Sequence, residues 1–192
     1  MRLILVLFVI TIFMFSCGGG IKTTDLNQAA SEETIEGIPD WYLNVPDDPN
    51  YLFAPQSATS RDMNTAVQKA TQAGRADIAV QLESRVDALT KSFTEEVGAG
   101  DDSEFLTQFT DVNKTVTSQT LYGTKVVKRD IKKENNIYRA YILMQMPVGL
   151  MQEEFVNEVK KREHLYTRMR ASQSFQDLEE EVKKYEEKKA NQ

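Results

Sequence analysis

The longest periodic segment of the chain reads DMNTAVQKATQAGRADIAVQLESRVDALTKSFTEEV, residues 62–97. Apolar or small residues recur in it every three or four positions, which is the spacing of one buried helical face. Asp62 is a candidate N-cap for this helix. Alanines keep the first half of the helix slim, so that we expect it to lie close against a sheet: Ala66, Ala70, Ala73, Ala76 and Ala79.

Strand patterns flank this helix on both sides. Residues 51–54, Tyr-Leu-Phe-Ala, predict a short strand that Pro55 limits to an edge or an end. Residues 124–130 and 137–146 predict a hairpin closed over residues 133–136. In the second hairpin strand the even-numbered residues would share one face of the sheet and the odd-numbered residues the other.

A second helix is expected from Glu104 to about Thr117, with an apolar row at three- and four-residue spacing. Together these segments predict an α+β fold. A small antiparallel sheet would be packed by the alanine-rich long helix, with a second helix and a long C-terminal helical extension.

The N-terminus predicts export and lipid attachment. Arg2 precedes an apolar run over residues 3–15, which is too short for the roughly 20 residues of a membrane-spanning helix and fits a secretory signal. Ser16-Cys17-Gly18 then follows, as at the end of a bacterial lipoprotein signal. We expect cleavage after residue 16 and acylation of Cys17, with palmitate among the acyl chains. The alternative is an ordinary signal peptide cleaved elsewhere.

This pattern also predicts where the protein resides and how the chain is divided. Gly18, rather than Asp, follows the cysteine, which in Gram-negative bacteria favours the outer membrane, and we expect the protein at its periplasmic face. Residues 1–16 would be the signal peptide, 17–38 a flexible tether, 39–148 the α+β domain and 149–192 a C-terminal helical extension. Residues 39–46 would be an extended, proline-punctuated segment with Trp41 as a core anchor.

The C-terminal segment from Gly149 to about Lys189 is highly charged and helical in pattern. A continuous helix of this length would span about 60 Å, so it either breaks near residues 172–174 or projects from the domain. Four residues predict an interaction seam of coiled-coil type, for a second copy or an envelope protein: Phe175, Leu178, Val182 and Tyr185. Folding back on its own domain, or fraying, are the alternatives.

Candidate chemical groups are sparse. The chain has 23 Lys and Arg against 29 Asp and Glu, and this net charge of −6 argues against a nucleic-acid partner. His164 is expected in solvent, and residues 101–104 and 47–50 are expected to serve as a helix cap and a turn. Basic stripes at residues 125–133 and 160–162 are expected to be solvated faces. We expect no catalytic residue, metal site or cofactor.

Five short motifs follow one another along residues 39–147. In order, they are Pro39-Asp40-Trp41, Tyr51-Leu52-Phe53-Ala54, the alanine-rich helix, Leu121-Tyr122-Gly123 and Tyr138-Arg139-Ala140-Tyr141-Ile142-Leu143. In this order they resemble the LPP-twenty family of bacterial envelope lipoproteins. The resemblance implies an α+β domain related to modules of flagellum-associated outer-membrane proteins, and it brings no catalytic residues with it.

The sequence therefore favours a lipid-anchored outer-membrane protein that has a non-enzymatic scaffolding or protein-interaction role. A periplasmic binding module for a small envelope ligand, such as a lipid or glycan fragment held between sheet and helices, is the alternative. A molecule bound in a closed apolar cleft would favour the second hypothesis, and a filled core would favour the first.

Overall fold

The computed structural model describes residues 37–191. The expected signal peptide, Cys17 and nearly all of the expected tether lie outside the described residues. Within the described range the elements are α1 (Asp40–Leu43), β1 (Tyr51–Ser60), α2 (Met63–Glu96), α3 (Ser103–Thr120), a 3₁₀ turn (Leu121–Gly123), β2 (Lys125–Glu134), β3 (Ile137–Pro147), α4 (Val148–Lys160), α5 (Glu163–Met169) and α6 (Gln173–Ala190). The predicted α+β fold with an antiparallel sheet is confirmed.

The three strands lie in the order β1-β3-β2, with both pairs antiparallel. The β2–β3 hairpin turns at Asn135, whose φ of 53° lies in the left-handed region that asparagine tolerates. β1 runs six residues beyond its predicted end at Ala54, with Pro55 in register with Leu143. The carbonyl of Phe53 accepts a hydrogen bond from Gln81 of α2, at 3.0 Å. The main-chain N–H and C=O groups of residues two apart along a strand point to the same edge of the strand. The nitrogen of Pro55, which carries no hydrogen, therefore lies on the edge of β1 that does not pair with β3.

Helix α2 covers one face of the sheet. Its fully buried positions fall on a line of four-residue spacing: Ala66, Ala70, Gly74, Ile78, Leu82 and Val86. The even-numbered residues of β3 from Ala140 to Met146 share one face of the sheet, as predicted, and they meet this line and are fully buried. The alanine row differs in part from the prediction, because Ala76 is exposed and only Ala66 and Ala70 are buried.

Helices α3 to α6 complete the core at the end of α2. Phe155 of α4 stacks on Phe93 of α2 and on Phe109 of α3, with ring centroids 5.8 and 6.1 Å apart. Phe175 of α6 meets Phe93 edge-on at 6.0 Å. The segment from residue 149 breaks at residues 161–162 and again near Ser172, where the Ser172 hydroxyl caps α6 by accepting from the Phe175 amide.

The predicted C-terminal helices are present, but they pack into the domain and do not extend from it, and the residues of the predicted interaction seam lie in its core. Phe175, Leu178 and Val182 are 0, 6 and 6% exposed and belong to the same buried cluster as α2 and the sheet. Tyr185 packs on the start of α4. The two breaks let the chain reverse direction, so the apolar row folds back on its own domain and does not project.

The opposite face of β3 is also partly covered. Residues 40–43 form the short helix α1 where an extended segment was predicted. Its Tyr42 packs edge-on against Tyr141 of β3, with ring centroids 5.1 Å apart, and Trp41 is only half-buried and makes an edge contact with Tyr42 at 6.3 Å. Trp41 is thus part of a cover on the outer face of the sheet and not a core anchor.

Candidate functional site

A cleft lies at the end of the sheet where β1 begins and β3 ends. It is bordered by the turn before β1, by the first turn of α4 and by the last two turns of α6. Its volume is about 580 Å³. We call it the lysine cleft, and its lining residues are Pro49, Asn50, Tyr51, Pro147, Val148, Gly149, Gln152, Glu181, Lys184, Tyr185, Lys188 and Lys189.

Main-chain hydrogen bonds hold the wall formed by the turn before β1. The Val148 amide donates to the Asn50 carbonyl at 2.8 Å, which ties the start of α4 to the turn. The Asp48 carboxylate accepts from both the main-chain amide and the side-chain amide of Asn50, at 2.9 and 2.8 Å. These two bonds hold the pKa of Asp48 below its ordinary value. The predicted turn at residues 47–50 is therefore present, and its polar groups brace the turn.

Tyr185 forms the wall contributed by α6. Its ring lies so close to Gly149 that a Cβ at that position would overlap Tyr185 Cδ2. Burial raises the pKa of the Tyr185 hydroxyl. The Lys189 ammonium lies 5.8 Å from the centroid of the Tyr185 ring and pairs with Glu153 at 3.2 Å. The ring is therefore held between a glycine of α4 and a paired lysine.

The charge of the cleft is positive, in contrast to the chain as a whole. Three lysines line it, and Glu181 is its one acidic lining residue. Glu181 accepts a hydrogen bond of 2.6 Å from Gln152. Within residues 37–191, neither Lys184 nor Lys188 forms an ion pair. The N-terminus of α4 is the positive end of the helix dipole, and it has no side-chain cap and no acidic residue in its first turn. It therefore adds to the positive potential of the cleft.

A second, more open groove lies between α2 and α3, with a volume of about 450 Å³. Three of its polar side chains are hydrogen-bonded to one another. Thr90 donates to the Asn113 carbonyl oxygen at 2.9 Å, and the Asn113 amide donates to Asp87 at 3.0 Å. These bonds join α2 to α3 and give Thr90, Asn113 and Asp87 a structural role.

The predicted acidic cap at residues 101–104 has the expected structure. Asp102 is the N-cap of α3 and accepts from the Phe105 amide at 3.0 Å. This bond, joined by a hydrogen bond from Arg168 of α5, lowers the pKa of Asp102. The Arg168 guanidinium also lies over the Phe105 ring, 5.0 Å from its centroid. The contacts of Arg168 with Asp102 and Phe105 join α5 to α3. His164 is exposed on α5.

The two basic stripes differ in their surroundings. On β2 the side chains of Lys125, Lys128, Arg129, Lys132 and Lys133 are exposed, and Lys132 pairs with Asp130 at 3.2 Å. On α4 and its end, Lys160 pairs with Glu179 at 2.7 Å, and Lys161 and Arg162 pair with Glu158. All three cations of the second stripe therefore form ion pairs. The pair of Lys160 joins α4 to α6, and the other two stabilise the C-terminal end of α4.

The sequence interpretation missed the lysine cleft. It assigned Tyr185 to an interaction seam and the residues before β1 to a turn alone. One available signal was the run Pro147-Val148-Gly149, which starts a helix without a capping side chain or an acid. The meeting of this run with residues 184–189 depends on the reversal of the chain at residues 161–172, which helical periodicity does not show.

No group of three or more His, Cys, Asp or Glu side chains within residues 37–191 is arranged to hold a metal ion. In that same range, no helix has the length and apolar character needed to cross a membrane. Comparison of the chain with protein-family models, curated proteins and solved structures finds no match.

Proposed function

We propose that the chain is an LPP-twenty-like lipoprotein that is anchored in the outer membrane by lipid on Cys17. At the periplasmic face it has a non-enzymatic scaffolding or protein-interaction role in a cell-surface or flagellum-associated assembly. The anchor is inferred from the short apolar run that ends in Ser16-Cys17-Gly18. Two acyl chains would hold the protein at the membrane stably, since one chain binds only marginally.

The close packing between α2 and the sheet supports the proposal of a scaffolding role. A Cβ at Gly74 would stand 2.8 Å from Ile142 Cδ1 and 3.2 Å from Met144 Cβ, closer than ordinary van der Waals contact. The alternative hypothesis placed a lipid or glycan fragment between sheet and helices. The close packing at Gly74 favours the scaffold, because backbone and side chains already occupy that space.

Exposed apolar side chains support an interaction role at the beginning of β2. Tyr122 in the 3₁₀ turn is 91% exposed, and Val126 and Val127 are 40 and 45% exposed. A bulge between Val126 and Lys128 interrupts the pairing of β2 with β3 there. Tyrosine is enriched at protein interfaces because its ring provides large contact area while its hydroxyl stays hydrogen-bonded.

Palmitate labelling and membrane fractionation test the anchor. Wild type should be labelled and sediment with outer membranes, and Cys17→Ser should lose both properties. Ser16→Ala is the matched control, because it keeps a small residue before the cysteine and should be labelled as wild type is. Label on the Cys17→Ser protein, or an unlabelled and soluble wild type, would disprove the anchor.

Site-specific photo-crosslinking in intact cells tests the interaction role. A photoreactive residue in place of Tyr122 should give a discrete crosslink to one envelope protein, or to a second copy of the chain. The same residue in place of Val80, which is 66% exposed on α2, is the control and should give none. No crosslink from position 122, or equal products from both positions, would contradict an interface at the start of β2.

A further inference from the structure

We propose that the lysine cleft is a binding site for an organic phosphate. The phosphate group would lie against Lys184 and Lys188, and the remainder of the molecule would lie against Tyr51 and Tyr185. This site goes beyond the scaffolding role and does not depend on the lipid anchor. It is also distinct from the space between the sheet and α2, which is filled at Gly74.

The size and walls of the cleft suit a small molecule. Its volume of about 580 Å³ lies within the range of roughly 300–1,000 Å³ that ligand pockets occupy. Two half-buried tyrosines and two prolines line it, which gives apolar surface beside the charged groups: Tyr51, Tyr185, Pro49 and Pro147. Binding pockets commonly combine apolar and aromatic walls with a few polar groups that fix the orientation of the ligand.

The positive charge of the cleft favours an anionic ligand. The chain carries a net charge of −6, yet three of the residues that line this cleft are lysines and one is a glutamate. Lys184 and Lys188 are four residues apart on α6 and therefore lie on one face of the helix, one turn from each other. Since Lys189 is already paired with Glu153, Lys184 and Lys188 are the two cations available to a ligand.

The identity of the cations favours phosphate over carboxylate. Arginine binds a planar carboxylate through two parallel hydrogen bonds, but no arginine lines the cleft. Lysine ammonium groups are compact point charges, which can approach the tetrahedral oxygens of a phosphate from different directions. Two neighbouring lysines can thus neutralise a phosphate ester that carries one or two charges.

Isothermal titration calorimetry on the full-length chain in detergent tests the site with two probes. The first is glycerol 3-phosphate, and the second is short-chain dihexanoyl phosphatidylglycerol, whose heat of mixing with protein-free detergent is subtracted. We expect saturable binding at one site per chain. Lys184→Ala/Lys188→Ala should weaken it by about tenfold or more, because charge-assisted hydrogen bonds to the ligand are lost.

The matched control is Lys69→Ala/Lys183→Ala, which removes two exposed lysines outside the cleft and should bind as wild type does. Binding of glycerol 3-phosphate, alone or together with the lipid, would identify a soluble phosphate ester as sufficient, and binding of the lipid alone would identify a phospholipid headgroup. Either result supports the site if the cleft variant is weakened selectively. Absence of saturable binding by both probes, or equal weakening of the two double variants, overturns the proposal and leaves the anchor and the scaffold untouched.

Discussion

Gly74 of α2 lies directly against Ile142 of β3. A Cβ added to the glycine would stand 2.8 Å from Ile142 Cδ1, a separation that real Cβ atoms essentially never show. Gly74 is the third of the six buried positions that follow one another at four-residue spacing on α2. The helix therefore approaches the central strand as closely as the backbone allows, and the small residues before Gly74 make that approach possible.

Gly74→Ala should therefore destabilise the fold. The added methyl group favours the helical conformation by about 0.5–1 kcal/mol, but overpacking of a tight core typically costs about 1–3 kcal/mol. We expect a lower urea midpoint with an unchanged slope. Gly100→Ala is the control, because nothing lies within 4 Å of a Cβ at Gly100. Equal stability of the Gly74→Ala protein and wild type would show that Ile142 moves aside without cost.

The alanines of α2 provide a matched pair for the same contact. Ala70 is fully buried, whereas Ala76 is exposed on the same helix. Ala70→Leu should lower the free energy of unfolding by about 1–3 kcal/mol because its extra carbons have no space. Ala76→Leu should be within about 0.5 kcal/mol of wild type, as surface substitutions usually are. Chemical denaturation of both variants measures the difference, and equal losses would contradict the orientation of α2.

Local periodicity was sufficient to predict much of the sheet and α2. The even-numbered residues of β3 lie on one face of the sheet and the odd-numbered residues on the other, as the pleat of a strand requires. Asp62 caps α2 by accepting from the Thr65 amide at 2.8 Å. Composition alone was less reliable for the alanines. Ala76 is six residues from Ala70, about 240° around the helix, so an alanine-rich segment does not have all its alanines on one face.

The position of α6 could not be predicted from its own sequence. Phe175, Leu178 and Val182 have the spacing of a helical seam, and that spacing is the same whether the partner is another chain or the same domain. The outcome depends on the breaks at Arg162 and Ser172, which reverse the chain. For the same reason the lysine cleft was not foreseen, because its residues meet only after that reversal.

Phe175 offers a direct test of where α6 belongs. Phe175→Ala should lower the free energy of unfolding by about 3–5 kcal/mol, because it empties a fully buried position that contacts the Phe93 ring. Truncation after Ser174 should likewise lower the thermal midpoint. Lys183→Ala, an exposed site on the same helix, is the control and should melt as wild type does. A truncated chain that melts like the full-length protein would restore the interpretation of α6 as a separate assembly element.

The end of α4 contains a buried carboxylate. The Glu158 side chain is 6% exposed and accepts from the Lys161 ammonium at 2.5 Å and from the Arg162 guanidinium at 2.8 Å. Arg162 also donates to the main-chain carbonyl of Glu158 at 2.8 Å. Burial acts to raise the pKa of Glu158, but the hydrogen bonds from the two cations outweigh it and hold the pKa below its ordinary value.

A carboxylate whose pKa is lower in the folded state stabilises the fold above its unfolded pKa of about 4.3 and loses that contribution as pH falls through its folded pKa. Glu158→Gln should therefore cost about 1.5–3 kcal/mol at pH 7, the range for a hydrogen bond to a charged group, and less at pH 3. Urea unfolding at both values measures the difference. Glu180→Gln, exposed on α6, should change stability little at either pH. A loss at Glu158 that is as large at pH 3 as at pH 7 would show that packing, and not the ion pairs, fixes this end of α4.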